Sequence, residues 1–441
     1  MQFWSRLFVF GVAVALSTTG LAETPSEGTV SLSTLPLRIL VTAGQEQITC
    51  RATGTIECRD AAGNVVSLEA GTWQVNAEQA VPAQQQFHLF TKTFETAQRA
   101  TADAYVAEWE KRGYDARLVV MGKRFRTTTD VVLDNRIYWV SIARFGTESE
   151  AVVRQKALAQ EEQWSWLRAE TVEQGSAVLH VYGTGGTEVA TLNAPLAVKG
   201  REPIEVLEVD SGFWKSNQQA HTYAGALTVG IGPDGKLQVV ETVPFEEYLA
   251  GVVPAEMAPL WPQEALRAQA VAARSEVLAT LGQRHELEGF DFCGSQHCRA
   301  YLGHGGRHPN SDAAVEATAG TVLVCNGLIV PTVYSANCGG WTANNDTVWS
   351  APAQPALRAV PDVLPDSPYH GGIPQEGFSR WILTSPAAYC SMDKEYYRWQ
   401  RTLSQAEVTR LVNQYEKVGQ VRAIQLGDRG PGGRLKWIRV E

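Results

Sequence analysis

Positive charge is the scarcer sign in this 441-residue chain, with 38 Lys and Arg against 47 Asp and Glu and a formal net charge of -9. That balance removes the electrostatic footprint on which nucleic-acid or other polyanion binding depends. Long apolar runs are also missing. The longest, residues 7–16, falls short of the ~20 residues a spanning helix needs, so no membrane span is expected. Charged residues make up only 19% of the chain and apolar ones 44%, which excludes a disordered chain. Cysteine is sparse and odd in number, at seven. The length fits two or three domains.

What is present begins with a leader. Arg6 precedes the apolar run, and Gly20-Leu21-Ala22 supplies small residues for cleavage, so residues 1–22 read as a signal peptide. No cysteine follows that point closely, and no lipid anchor is expected. The mature protein is expected to be exported, to a periplasm or cell wall, where disulfides are permitted. Cys50 and Cys58 flank a short Gly-containing turn and suit a hairpin disulfide; Cys338 with Cys390 is the expected second pair. Spacing alone fixes no connectivity. The thirteen tryptophans suit sugar rings, although most are expected in cores.

Three patterns follow one another along the chain. Residues 28–80 alternate in short segments broken by turn residues such as Asp60-Ala61-Ala62-Gly63-Asn64, a β-rich unit. Residues 87–170 give strand, helix, strand, strand, helix, strand, with helices over 95–112 and 148–162. From residue 177 onward β signals return, and Pro233-Asp234-Gly235 marks a hairpin turn. The class is α+β.

The segment Tyr248-Leu-Ala-Gly-Val-Val-Pro-Ala-Glu256-Met257 then places one carboxylate among Val252, Val253, Pro254, Met257 and Pro259. An apolar setting raises a carboxyl pKa, as a general acid requires. Pro262 opens an Ala-rich helix that is apolar almost all round, hence buried, and Gly282 closes it. Glu246 and Glu247 read as first-turn residues of a helix. Glu256 capping a turn, or pairing with Arg267 or Arg274, is the structural alternative. Downstream, Cys293-Gly-Ser-Gln-His297-Cys298 offers two thiolates and an imidazole, the donors zinc prefers. From residue types alone, a Cys293–Cys298 disulfide competes with that reading.

Val-Val-Pro-Ala-Glu256-Met followed by Ala-Gln-Ala-Val-Ala-Ala-Arg274, together with the Cys/His group, resembles the SpoIID/LytB family. The resemblance spans roughly 177–441, with specific motifs only in 243–341. It implies a β-rich catalytic domain with a buried helix. The implied activity is lytic transglycosylation of peptidoglycan: cleavage of the MurNAc-β-1,4-GlcNAc bond to 1,6-anhydro ends, with Glu256 as acid then base. It also implies a structural Zn²⁺ held by Cys293, His297 and Cys298, with His285 as fourth ligand and His304 or His308 as alternatives. Arg274 and Ser275, and Tyr334, Ser335, Gly339 and Gly340 in a Tyr-Ser…Gly-Gly segment, are the implied substrate-binding residues. Where the family pattern has an aromatic, this chain has Glu276, a second acid near the site. Family domains usually continue beyond the turn at 430–433. Residues 87–170 resemble the sporulation-related repeat, SPOR, whose members bind glycan strands stripped of stem peptides. The partners implied are peptidoglycan glycan strands and, since some LytB relatives enhance a cell-wall amidase, such an amidase. A non-catalytic binding modifier is the rival reading, and a zinc hydrolase a third.

Overall fold

The computed structural model of the protein describes residues 29–127, 130–210, 218–349 and 352–441; the expected leader lies outside them. After the two-residue strand Val30–Ser31 come five more: β1 (Pro36–Gln45), β2 (Gln47–Ala52), β3 (Ile56–Arg59), β4 (Val65–Leu68) and β5 (Gly71–Val81). A module follows, built of β6 (Gln84–Glu95), α1 (Arg99–Lys111), β7 (Arg117–Met121), β8 (Ile137–Phe145), α2 (Glu148–Gln160) and β9 (Trp166–Glu173). Its sheet order is β9-β6-β8-β7, antiparallel throughout. Side chains alternate across the pleat. Leu89, Val140 and Ile142 therefore join Ala102, Trp109 and Leu158 of the helices, while Phe90 and Trp139 face the other way. That second face packs on Leu287, from the segment preceding the cysteine loop.

The chain returns as β10 (Ser176–Tyr182), β11 (Glu188–Asn193), β12 (Leu196–Gly200), β13 (Ile204–Asp210), β14 (Gln218–Tyr223), β15 (Ala226–Ile231) and β16 (Leu237–Pro244). These strands interleave with β1 to β5. One sheet runs β11-β10-β5-β2-β13-β14. The other runs β17-β1-β16-β15-β12-β3-β4, where β17 is the two-residue strand Phe292–Cys293. The β-rich segment 28–80 is therefore not a separate unit: its strands and those after 176 share one core. The turn between Cys50 and Cys58 does not close a hairpin: Cys50 lies in β2 and Cys58 in β3, which belong to different sheets, and both sulfurs are reduced in this structure. Burial pushes Cys50 up to about 12 and Cys58 up to about 11.

On β16, Val239 and Val243 point into the core and so does Glu241, fully buried opposite Ile39 of β1. Its carboxylate accepts from the Tyr301 hydroxyl at 2.8 Å and from the Gly225 N–H at 2.9 Å. Burial still pushes its pKa up to about 7. A folded-state pKa above the unfolded value of 4.5 means the folded state binds more protons between those values. Stability is thus full at low pH and falls as pH rises through 7, by up to roughly 3 kcal/mol. Glu241→Gln is expected to remove that component. Urea unfolding at pH 5 and pH 8 should show a smaller difference for the variant than for the wild type.

Candidate functional site

Two helices follow β16. α3 (Phe245–Glu256) has Glu246 and Glu247 in its first turn, and α4 (Gln263–Thr280) starts after Pro262. Tyr248, Leu249, Val252, Val253, Leu266 and Ala270 all join the sandwich core. Glu256 is the last residue of α3. Pro254 brings no N–H to the helix, and Met257 is already extended. The carboxylate is thus placed at the carbonyl end of a helix, which disfavours negative charge.

Glu256 is half-buried. Burial raises its pKa above the ordinary carboxylate range, and the nearby Glu276 charge adds to the rise. The Ala300 N–H, which donates to Glu256 Oε1 at 3.2 Å, the Arg299 charge and the Tyr334 hydroxyl pull the other way without cancelling it. Tyr334 is partly exposed, and its phenol is pushed up by its own burial and by Glu256. Its segment is tied down two residues earlier, where Thr332 Oγ1 donates to the Ala272 carbonyl of α4 at 2.5 Å. Glu276 is not a free second acid. It is buried and ion-paired with Arg299 and, at 3.2 Å, with Arg284. Arg299 had no assigned role in the sequence, yet it is the buried cation of the site. It donates to the Tyr248 hydroxyl at 3.1 Å and lies 4.2 Å over the Phe292 ring.

Two expected substrate contacts are corrected. Arg274 is fully buried. It binds Glu246 at 2.8 and 3.0 Å and the carbonyls of Val315 and Thr321 at 3.1 and 3.3 Å. Ser275, also fully buried, donates to the Val271 carbonyl and accepts from the Leu323 N–H. Both hold α4 to the chain after α5 (Pro309–Ala317) and cannot meet a ligand. Arg274→Ala leaves buried carbonyls unpaired and a cavity behind, and is expected to cost about 3 kcal/mol. A lowered urea midpoint would register it.

Ser335 is exposed near Tyr334. Gly339 and Gly340 have φ of 69° and 94°, a left-handed turn. A Cβ on Gly340 would stand 2.7 Å from Trp381, so close packing on Trp381 explains this glycine, not contact with a ligand. Arg398 donates to the Gly339 carbonyl at 3.0 Å. Cys338 and Cys390 are thiols here, with sulfurs 3.6 Å apart.

The ligand atoms of His285, Cys293, His297 and Cys298 all lie within 4.8 Å of one another. Of the three histidine alternatives the structure brings His285 to the cluster. His308 instead accepts from the Asn310 N–H at the start of α5, and His304 is exposed. His285 Nδ1 bonds Glu288 Oε1 at 2.8 Å, and its Nε2 is buried without a hydrogen-bond partner among the described residues. An imidazole oriented by a carboxylate, with an orphaned nitrogen aimed at two thiols, is the arrangement of a metal ligand. The donor set therefore fits a closed zinc site. The loop is anchored at its start. Cys293 pairs in register with Leu40 of β1. Arg38 and Lys123 bind buried Asp291 at 3.2 and 3.4 Å, holding its carboxyl low against the effect of burial.

The family profile described as SpoIID, Stage II sporulation protein, matches residues 233–325, which contain α3, α4 and the cysteine loop. An uncharacterized protein of Brachyspira hyodysenteriae is 32% identical over 174 residues, covering 37% of this chain and 46% of that protein. The amidase enhancer of Bacillus subtilis is 36% identical over 116 residues, 26% of this chain and 15% of the enhancer. Stage II sporulation protein D of Bacillus subtilis is 28% identical over 137 residues, 28% of this chain and 40% of that protein. Each alignment spans less than half of the relative's length. A solved structure, a putative exported protein from Burkholderia pseudomallei, aligns over 46% of this chain and 43% of its own at 15% identity and a TM-score of 0.18. No helix among the described residues is long and apolar enough to cross a membrane.

Proposed function

We propose that this protein, which belongs to the SpoIID/LytB family through residues 233–325, is an exported lytic transglycosylase acting on peptidoglycan glycan strands. The observation that carries the reading is a single half-buried carboxyl, Glu256, biased toward its protonated form, with the neighbouring Glu276 locked in ion pairs. One free carboxyl suits a reaction that uses one. Protonated Glu256 donates to the glycosidic oxygen as the bond from C1 of MurNAc breaks, releasing the GlcNAc hydroxyl. The resulting carboxylate takes the proton from the C6 hydroxyl, whose oxygen bonds C1 and closes the 1,6-anhydro ring. The acid is regenerated, and neither water nor a second carboxylate takes part, unlike ordinary glycosidases. Ring closure within one sugar gains from proximity. Tyr334, beside Glu256, and exposed Ser335 would hydrogen-bond the strand.

His285, Cys293, His297 and Cys298 would hold Zn²⁺ as a structural cross-link. The module 84–173, whose four-stranded sheet is made in the order strand, helix, strand, strand, helix, strand, with two short strands at 124–126 and 132–134 pairing outside that sheet, is proposed as a SPOR-like glycan binder. A second reading rests on the relative named an amidase enhancer: a glycan-binding partner of a cell-wall amidase. Incubating peptide-stripped strands with the full chain and no amidase separates the two. New chain ends are expected. Intact, bound strands together with stimulation of an added amidase would favour the enhancer.

A further inference from the structure

The cysteine loop and the acid are joined by two consecutive residues. Cys298, at the end of the cluster, is followed by Arg299 and Ala300. The guanidinium of Arg299 is fixed on several sides: the Glu276 carboxylate, the Thr280 hydroxyl at 3.5 Å, the Tyr248 hydroxyl at 3.1 Å and the Phe292 ring at 4.2 Å. Phe292 itself precedes the ligand Cys293 and lies in β17. Ala300, the next residue, presents its N–H to Glu256 Oε1 at 3.2 Å. A side chain clamped this fully leaves the adjoining peptide little freedom, so the backbone donor is pre-placed against the carboxylate.

We propose that Arg299 is a positioning residue, clamped by Glu276, that delivers both the Ala300 N–H and a buried positive charge to the acid at the end of α3. The inference rests on the proposed role of Glu256. Glu276 acts here as the counter-charge that limits how strongly Arg299 favours ionised Glu256, so a carboxylate at this position of α4 tunes the acid. The charged and titratable groups around Glu256 are Arg299 from the cysteine loop, Glu276 from α4 and Tyr334 from the downstream segment; Tyr248 and Arg284 adjoin through Arg299 and Glu276. An ion pair removed from water acts over short distances with little screening, so each partner is felt at the carboxylate.

The test follows the Glu256 carboxyl directly, by carbon NMR of the full, metal-loaded chain labelled at glutamate, with the signal assigned by its loss in Glu256→Gln. Arg299→Met removes the positive charge, leaves Glu276 with Arg284 as its remaining cation and releases the clamp; the Glu256 midpoint should move up by about one pH unit or more. Glu276→Gln frees the guanidinium charge, and the midpoint should move down. Loosening without a positioning role would shift both variants the same way or neither, and that result would overturn the inference. Should Arg299→Met not fold, the downward shift in Glu276→Gln decides alone. Opposite shifts with no glycan cleavage by the wild type would leave this coupling standing and remove the proposed reaction. Cleavage without the shifts would do the reverse.

Discussion

Glu256→Gln is expected to lower glycan cleavage by at least about a thousandfold, within the range ascribed to loss of a positioned general acid. The amide has the same shape and still offers an oxygen to the Ala300 N–H, 3.2 Å from Glu256 Oε1 in the native chain, so fold and strand binding should persist. What is lost is the proton for the leaving oxygen and, in the second half of the reaction, the base for the C6 hydroxyl. Chain-end counting after incubation with peptide-stripped strands, paired with a melting curve, checks both parts. Retained cleavage would transfer the acid's role elsewhere. Glu276 is the nearest rival, and its ion pairs with Arg299 and Arg284 argue against it. Because burial dominates the raised pKa of Glu256, the alkaline limb of wild-type activity, where the acid loses its proton, should lie at higher pH than for an ordinary glutamate.

The second large effect concerns the cysteine loop. Cys298→Ser is expected to take bound zinc from about one per chain to almost none and to lower Tm by about 10 °C, the scale of a few kcal/mol in a domain of this size. The instability would spread to Glu256, because Arg299 and Ala300 follow directly. Metal analysis of the purified chain and a thermal scan measure it, with Cys325→Ser, outside the cluster, as the control. A Cys293–Cys298 disulfide would instead give no zinc in the wild type and a mass two hydrogens lighter without reductant.

The helix pair that carries Glu256 was readable because its signals are local. Pro262 marks a helix start whatever surrounds it, and the apolar neighbours of Glu256 foretold the direction of its pKa. The Cys/His group likewise shows in sequence, although only the fold chooses His285 over His304 and His308. Strand partners were not readable, because β1 alternates in the same way whether it pairs with β2 or, as it does, with β16 and β17. The separate N-terminal unit, and the hairpin expected between Cys50 and Cys58, differ from the structure for that reason. Arg274 misled in another way. The family resemblance assigned it to the substrate, but it turns inward to Glu246 and two carbonyls. Gly340 looked like room for a ligand and is room for Trp381. Arg299 carried no signal beyond its place after Cys298, since its partners come from α3, α4 and β17.

The central claim is that one carboxyl drives a cleavage in which water takes no part. Mass spectrometry of the products, with peptide-stripped strands and full chain in heavy-oxygen water, tests it most directly. The account predicts 1,6-anhydro-MurNAc ends free of the label. Reducing ends carrying heavy oxygen would mean that water attacks C1, and the single-carboxyl mechanism assigned to Glu256 would be wrong.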